Sequence, residues 1–130
     1  MTRSGLFKPG KTNMLLFKGA TVIWLLIILF LSFIPSNDLP EVNGIPNIDK
    51  IVHFFLYFIF SMLGLLTSFK AKKMVDKKFI LAAIFGIGLF VEVMQGILPL
   101  GRTFSVFDLL ANVCGMLTGL LFFQGIKYLL

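Results

Sequence analysis

Four long apolar runs, near residues 14–34, 51–69, 79–98 and 106–123, take up most of this chain and constrain it more than any other feature. The hydrocarbon core of a bilayer is about 30 Å thick, and about 20 helical residues cross it. Each run is close to that length. In lipid a spanning segment must satisfy its own backbone N–H and C=O groups, so runs of this kind fold as helices. Composition supports this: 58% of the 130 residues are hydrophobic and 14% are charged. Soluble domains hold about 45–50% apolar and about 25% charged residues. The sequence therefore predicts an all-α membrane protein, an antiparallel four-transmembrane-helix bundle forming a single domain over residues 1–130. Its basic start resembles a signal peptide, but the run is long and has no A-x-A-like site before Asn37, so an uncleaved anchor is expected.

The basic residues orient the spans. Arg3, Lys8, Lys11 and Lys18 precede or enter the first run, where Lys18 can snorkel, and Lys70, Lys72, Lys73, Lys77 and Lys78 crowd the second loop. The first loop instead carries Asp38, Glu41 and Asp49 before Lys50, and the third has only Arg102. Cytoplasmic loops are enriched in Lys and Arg, so both termini are expected in the cytoplasm, with the first and third loops outside. The net charge of +6 comes from these flanks rather than from a basic face with interleaved aromatics, which argues against nucleic acid. The lysine-rich loop also suits anionic lipid headgroups. The single cysteine, Cys114, has no CxxC companion and reads as a small packing residue.

Polar residues within or at the lips of the spans all fall at the outer end under this topology. Asp49, Lys50, His53 and Tyr57 lie on the second span, Glu92 and Gln95 on the third, and Arg102, Thr103, Ser105, Asp108 and Asn112 around the fourth. At about 1.5 Å per residue, Glu92 lies roughly 9 Å below its helix end, and His53 and Asn112 roughly 6 Å below theirs. Asp49, His53, Tyr57 and Ser61 follow an i, i+4 stripe, as do Asp108 and Asn112. An ionisable group facing lipid costs about 2.5–3.5 kcal/mol on insertion scales, so these faces should turn inward and form a polar cup. Below it, Gly64, Gly115 and Gly119 allow close helix approach; the G-x-x-x-G pair also suits a homodimer, though packing within the chain is favoured.

Each candidate has a functional and a structural reading. Glu92, between Val91 and Val93, suits acid–base chemistry or a buried ion pair with Arg102 or Lys50. His53 suits a general base, a metal ligand or a neutral interhelical hydrogen bond. Asp49 and Asp108 are sites or N-caps of their helices, and Gln95 is an orienter or interhelical glue. Arg102 lies on the side where the orientation rule does not want a cation; its planar fork suits a phosphate, or else an ion pair with Glu92 or Asp108. Tyr57 is a cup wall or an interface aromatic. A metal on His53, Glu92, Asp49 and Asp108 has no H-x-x-x-H-type spacing behind it, so no metal or other cofactor is expected.

The run Asp49-Lys50-Ile51-Val52-His53-Phe54-Phe55-Leu56-Tyr57-Phe58 resembles the D-K-x-x-H-F-x-x-Y motif of the VanZ-like family. Glu92-Val93-Met94-Gln95 is similar to its E-x-x-Q, and the stretch from Arg102 to Gly115 resembles its R-x-x-S-x-x-D-x-x-A-N-x-x-G. The resemblance implies a small bacterial cytoplasmic-membrane protein related to one that raises tolerance to teicoplanin-type glycopeptides. The expected function is an outer-face site for a phosphate-bearing membrane lipid or lipid-linked cell-wall precursor. In it Glu92, His53 and Asp108 are the candidate catalytic groups, and Arg102, Asp49, Lys50, Tyr57, Gln95, Ser105 and Asn112 the binding groups. The alternative is a non-catalytic binding, transport or accessory protein using the same cup.

Overall fold

A computed structural model describes residues 11–38, 44, 47–71 and 75–129. It contains α1 (Lys11–Ser32), a 3-10 turn (Ser36–Asp38), α2 (Ile48–Lys70), α3 (Lys77–Ile97), α4 (Val106–Ile126) and a final 3-10 turn (Lys127–Leu129). The described residues hold no strand. All four helices are long and apolar enough to cross a membrane, as expected. Arg3, Lys8, Glu41, Lys72 and Lys73, used above for orientation, lie outside the described residues.

The helix bounds differ slightly from the apolar runs. α2 and α3 begin earlier, at Ile48 and Lys77, because helix continues past the apolar edge into polar residues. α1 instead stops at Ser32, short of residue 34. Pro35 disfavours helical backbone at Ile34 before it. Two expected caps move as well. The N-cap of α2 is Asn47, in a left-handed conformation with φ 57°, and Asp49 lies inside the first turn. The N-cap of α4 is Ser105, whose Oγ accepts from the Asp108 N–H at 3.3 Å. Neither aspartate serves as the N-cap of its helix.

Hydrophobic burial does not drive helices together in lipid, so close association needs small residues and polar contacts. α2 and α4 form the most intimate pair. A Cβ on Gly115 would strike the Phe54 carbonyl oxygen, and one on Gly119 would strike Ser61 Oγ. Both glycines therefore pack inside the chain. Because Phe54 lies beside Gly115 and Ser61 beside Gly119, the two helices run in the same direction. α1 attaches to α2 through Trp24 Nε1–H, which donates to the Leu56 carbonyl at 2.9 Å, and through a Thr21–Thr67 hydroxyl contact at 2.9 Å. Ile28, Tyr57, Phe60, Ile84 and Met116 form the shared core.

The outside of the bundle is apolar. Phe30, Phe79, Phe107 and Leu121 are each about 70% exposed. In water such patches would associate, whereas in hydrocarbon they are ordinary lipid contacts. This pattern makes the chain a multi-pass membrane protein. Cys114 also lies on this exposed surface rather than in the packing expected for it.

Candidate functional site

At one end of the bundle all four helices contribute to a cavity of about 640 Å³. Leu31 and Ser32 border it from α1, Lys50 and His53 from α2, Gln95 from α3 and Asp108 from α4. Arg102 completes the wall from the loop before α4. This loop is held against the first one: Ser36 N–H donates to the Leu100 carbonyl at 2.9 Å, and Gly101, at φ 71°, leaves no room for a Cβ beside Ser36.

The stripe on α2 turns inward along its length. Asp49 is exposed, His53 partly buried, and Tyr57 and Ser61 buried. Asp49 accepts from Lys50 Nζ at 3.2 Å, and the same ammonium lies 3.6 Å from Asp108 Oδ1. His53 stands between two carboxylates: Nδ1 is 3.8 Å from Glu92 Oε1, and Nε2 is 3.8 Å from Asp108 Oδ2. Nδ1 is also 3.0 Å from Asn112 Oδ1. An amide oxygen only accepts, so in this arrangement Nδ1 carries a proton, and in the neutral ring Nε2 presents its lone pair.

Glu92 is fully buried. Its Oε2 accepts from the Ser105 N–H at 3.4 Å, while Oε1 has no hydrogen-bond partner. Asp108 Oδ1, Asn112 Nδ2 and the Tyr57 hydroxyl are likewise buried without hydrogen bonds. Orphaned buried polar atoms cost about 1–3 kcal/mol each, so four such atoms, on the His53 neighbours Glu92, Asp108 and Asn112 and on Tyr57 beneath them, are a concentration the fold alone does not require.

Arg102 makes no ion pair among the described residues. One guanidinium nitrogen donates to the Leu31 carbonyl at 3.3 Å, and Gln95 Nε2 donates to the Ser32 carbonyl at 2.8 Å. Both side chains thus satisfy carbonyls that α1 leaves open at its last turn. Gln95 acts as the interhelical glue of the two readings, and the ion pair of Arg102 with Glu92 or Asp108 is not formed. Burial lowers the Arg102 pKa from its usual range, and Asp108 and Glu92 oppose the shift.

The structure brings His53, Glu92, Asp108, Asn112 and Ser105 into one cluster, with Lys50 and Asp49 at its rim. Tyr57 does not line the cavity. Its ring packs beneath, beside Gly88 and Asn112, around a gap too small for a water molecule. Sequence reasoning missed the contribution of α1. Ser32 was visible as a polar residue at the correct end of an apolar run, but the Leu31 and Ser32 carbonyls carry no sequence signal.

The description VanZ/LLP1 matches residues 6–128, nearly the whole chain, and the chain belongs to that family. No curated protein and no solved structure matches it.

Proposed function

We propose that this VanZ/LLP1 family member works in the bacterial cytoplasmic membrane, with its termini inside and its cavity open at the outer face. There the cavity takes the headgroup of a phosphate-bearing lipid or lipid-linked cell-wall precursor. The observation that carries this reading is Arg102: a guanidinium on the cavity wall, anchored by one carbonyl and unpaired with any carboxylate among the described residues. Lys50 is already engaged with Asp49 and Asp108, so among the described residues lining the cavity Arg102 is the cation left to meet a ligand's anion. Its fork suits bidentate phosphate recognition. Asp49 and Asp108 border the same cavity, which favours a singly charged phosphodiester over a dianion. Leu31, Ile48, Val52 and Leu56 offer the apolar flank that a lipid tail requires.

Holding or altering such a molecule would change what a glycopeptide such as teicoplanin can reach. A catalytic version is favoured by His53 standing between Glu92 and Asp108, where it can accept or deliver a proton. Transport through the bundle is disfavoured by the closed packing of Tyr57, Gly88 and Asn112 beneath the cavity. Titration of the purified protein with phosphatidylglycerol and with diacylglycerol tests the reading. Phosphatidylglycerol should bind at least about tenfold tighter, and Arg102→Lys should remove most of that preference because it keeps the charge and loses the fork. Equal binding of the two lipids, or an unchanged Arg102→Lys variant, would overturn it.

A further inference from the structure

The sequence carries no metal-ligand spacing, yet α2, α3 and α4 each deliver one donor to the same point. His53, Glu92 and Asp108 offer ligand atoms that all lie within 4.8 Å of one another. Two donors about 2.1 Å from a single ion stand about 3.4 Å apart at a tetrahedral angle and about 4.2 Å apart when opposite. Of the two 3.8 Å separations, only His53 Nε2 to Asp108 Oδ2 can be a donor pair around an ion on Nε2, and it falls between these limits; Glu92 Oε1 lies 3.8 Å from the other ring nitrogen, Nδ1, so its carboxylate must turn toward Nε2 to complete the site.

A cluster of this kind often serves only to hold helices together. Here a second observation points to a ligand. Glu92 is fully buried and its Oε1, on the His53 side, has no hydrogen-bond partner. Ion pairing with His53 alone would leave this oxygen short of a hydrogen-bond donor, whereas a cation would satisfy it. The histidine is prepared in the way metal-binding histidines usually are, with the far ring nitrogen held by an acceptor. Asn112 Oδ1 holds Nδ1 at 3.0 Å and leaves the Nε2 lone pair toward Asp108.

We propose that His53 Nε2, Glu92 and Asp108 bind one divalent first-row cation, with Asn112 as the positioning residue behind the imidazole. One nitrogen and two carboxylates suit Zn²⁺ or Mn²⁺ better than Mg²⁺ or Ca²⁺, which take oxygen ligands. Two carboxylates also neutralise the ion, so the nearby Lys50 and Arg102 do not oppose it strongly. Remaining coordination positions open to the cavity, since His53 and Asp108 both line it. The site stands apart from the Arg102 reading and does not depend on it.

Protein stripped with a chelator and then dialysed against Zn²⁺ or Mn²⁺ tests the proposal, with metal per chain read by plasma mass spectrometry. Competition against a chromophoric chelator gives the affinity. The wild type should hold one ion per chain. His53→Gln, Glu92→Gln and Asp108→Asn should each weaken binding by more than about a hundredfold, Asn112→Ala by about 10–100-fold, and Arg102→Lys little. Wild-type protein with no more ion than a variant carrying His53→Gln, Glu92→Gln and Asp108→Asn together would overturn the proposal, as would single variants that bind like wild type. X-ray absorption on the zinc-loaded wild type does not rely on any variant folding. An imidazole nitrogen with oxygen neighbours supports the site, and a shell without nitrogen or one containing sulfur refutes it.

Discussion

Gly115→Ala should damage the protein out of proportion to one methyl group. The added Cβ would collide with the Phe54 carbonyl oxygen and lie 2.9 Å from its carbon and 3.1 Å from its Cα. Carbon and carbonyl oxygen settle at about 3.3–3.6 Å, so α2 and α4 must separate by about 1 Å. The obstacle is backbone and cannot rotate away. Overpacking of this kind typically costs about 1–3 kcal/mol. The same movement would stretch the His53–Asn112 contact, one turn away, from 3.0 Å to about 4 Å, beyond hydrogen-bonding range. Thermal melting in detergent should therefore show a clear loss, accompanied by loss of ligand or metal binding. Gly125→Ala is the control, because nothing lies within 4 Å of its added Cβ. It should be neutral or raise stability by up to about 1 kcal/mol through better helix propensity. If Gly115→Ala melts like wild type, or Gly125→Ala is equally harmful, the close α2–α4 contact is not what holds the site.

Tyr57→Phe removes a buried hydroxyl that has no hydrogen bond, so it should raise stability by about 1 kcal/mol and leave lipid binding intact; a lower melting temperature would show a partner for that hydroxyl. Glu92→Gln keeps the shape and removes the charge, so it should fold near wild type while losing function. A drop of about 3–5 kcal/mol would instead mark Glu92 as half of a structural ion pair. In a Cys114→Ser background, a cysteine at Thr103 should react with an impermeant thiol reagent on intact cells and one at Lys78 should not. The reverse pattern would place the cavity in the cytoplasm.

The spans were legible because the bilayer imposes a length and an apolarity that no other environment demands of four successive runs. The site was legible because ionisable residues in a span must turn inward, and the i, i+4 spacing of Asp49, His53 and Tyr57 assigned them to one face. That stripe did not show where the cavity stops, so Tyr57 was expected in the wall although it packs beneath it. Side-chain chemistry offered only carboxylates as protein partners for Arg102, whereas the partner is a backbone carbonyl exposed by the end of α1. Caps were misplaced by a few residues because Asn47 and Ser105 compete locally with Asp49 and Asp108 for the same role. The convergence of His53, Glu92 and Asp108 has no one-dimensional signature, since each donor sits on a different helix.

Whether Arg102 grips a phosphate is tested in the membrane itself by mass spectrometry of the lipids that co-purify with the protein. Wild-type protein should carry a phosphate-bearing lipid or precursor enriched over its share of the bulk membrane, and Arg102→Lys should lose that enrichment. Co-purifying lipid that mirrors the bulk membrane in both proteins would contradict the claim and leave Arg102 as a cap for the last turn of α1.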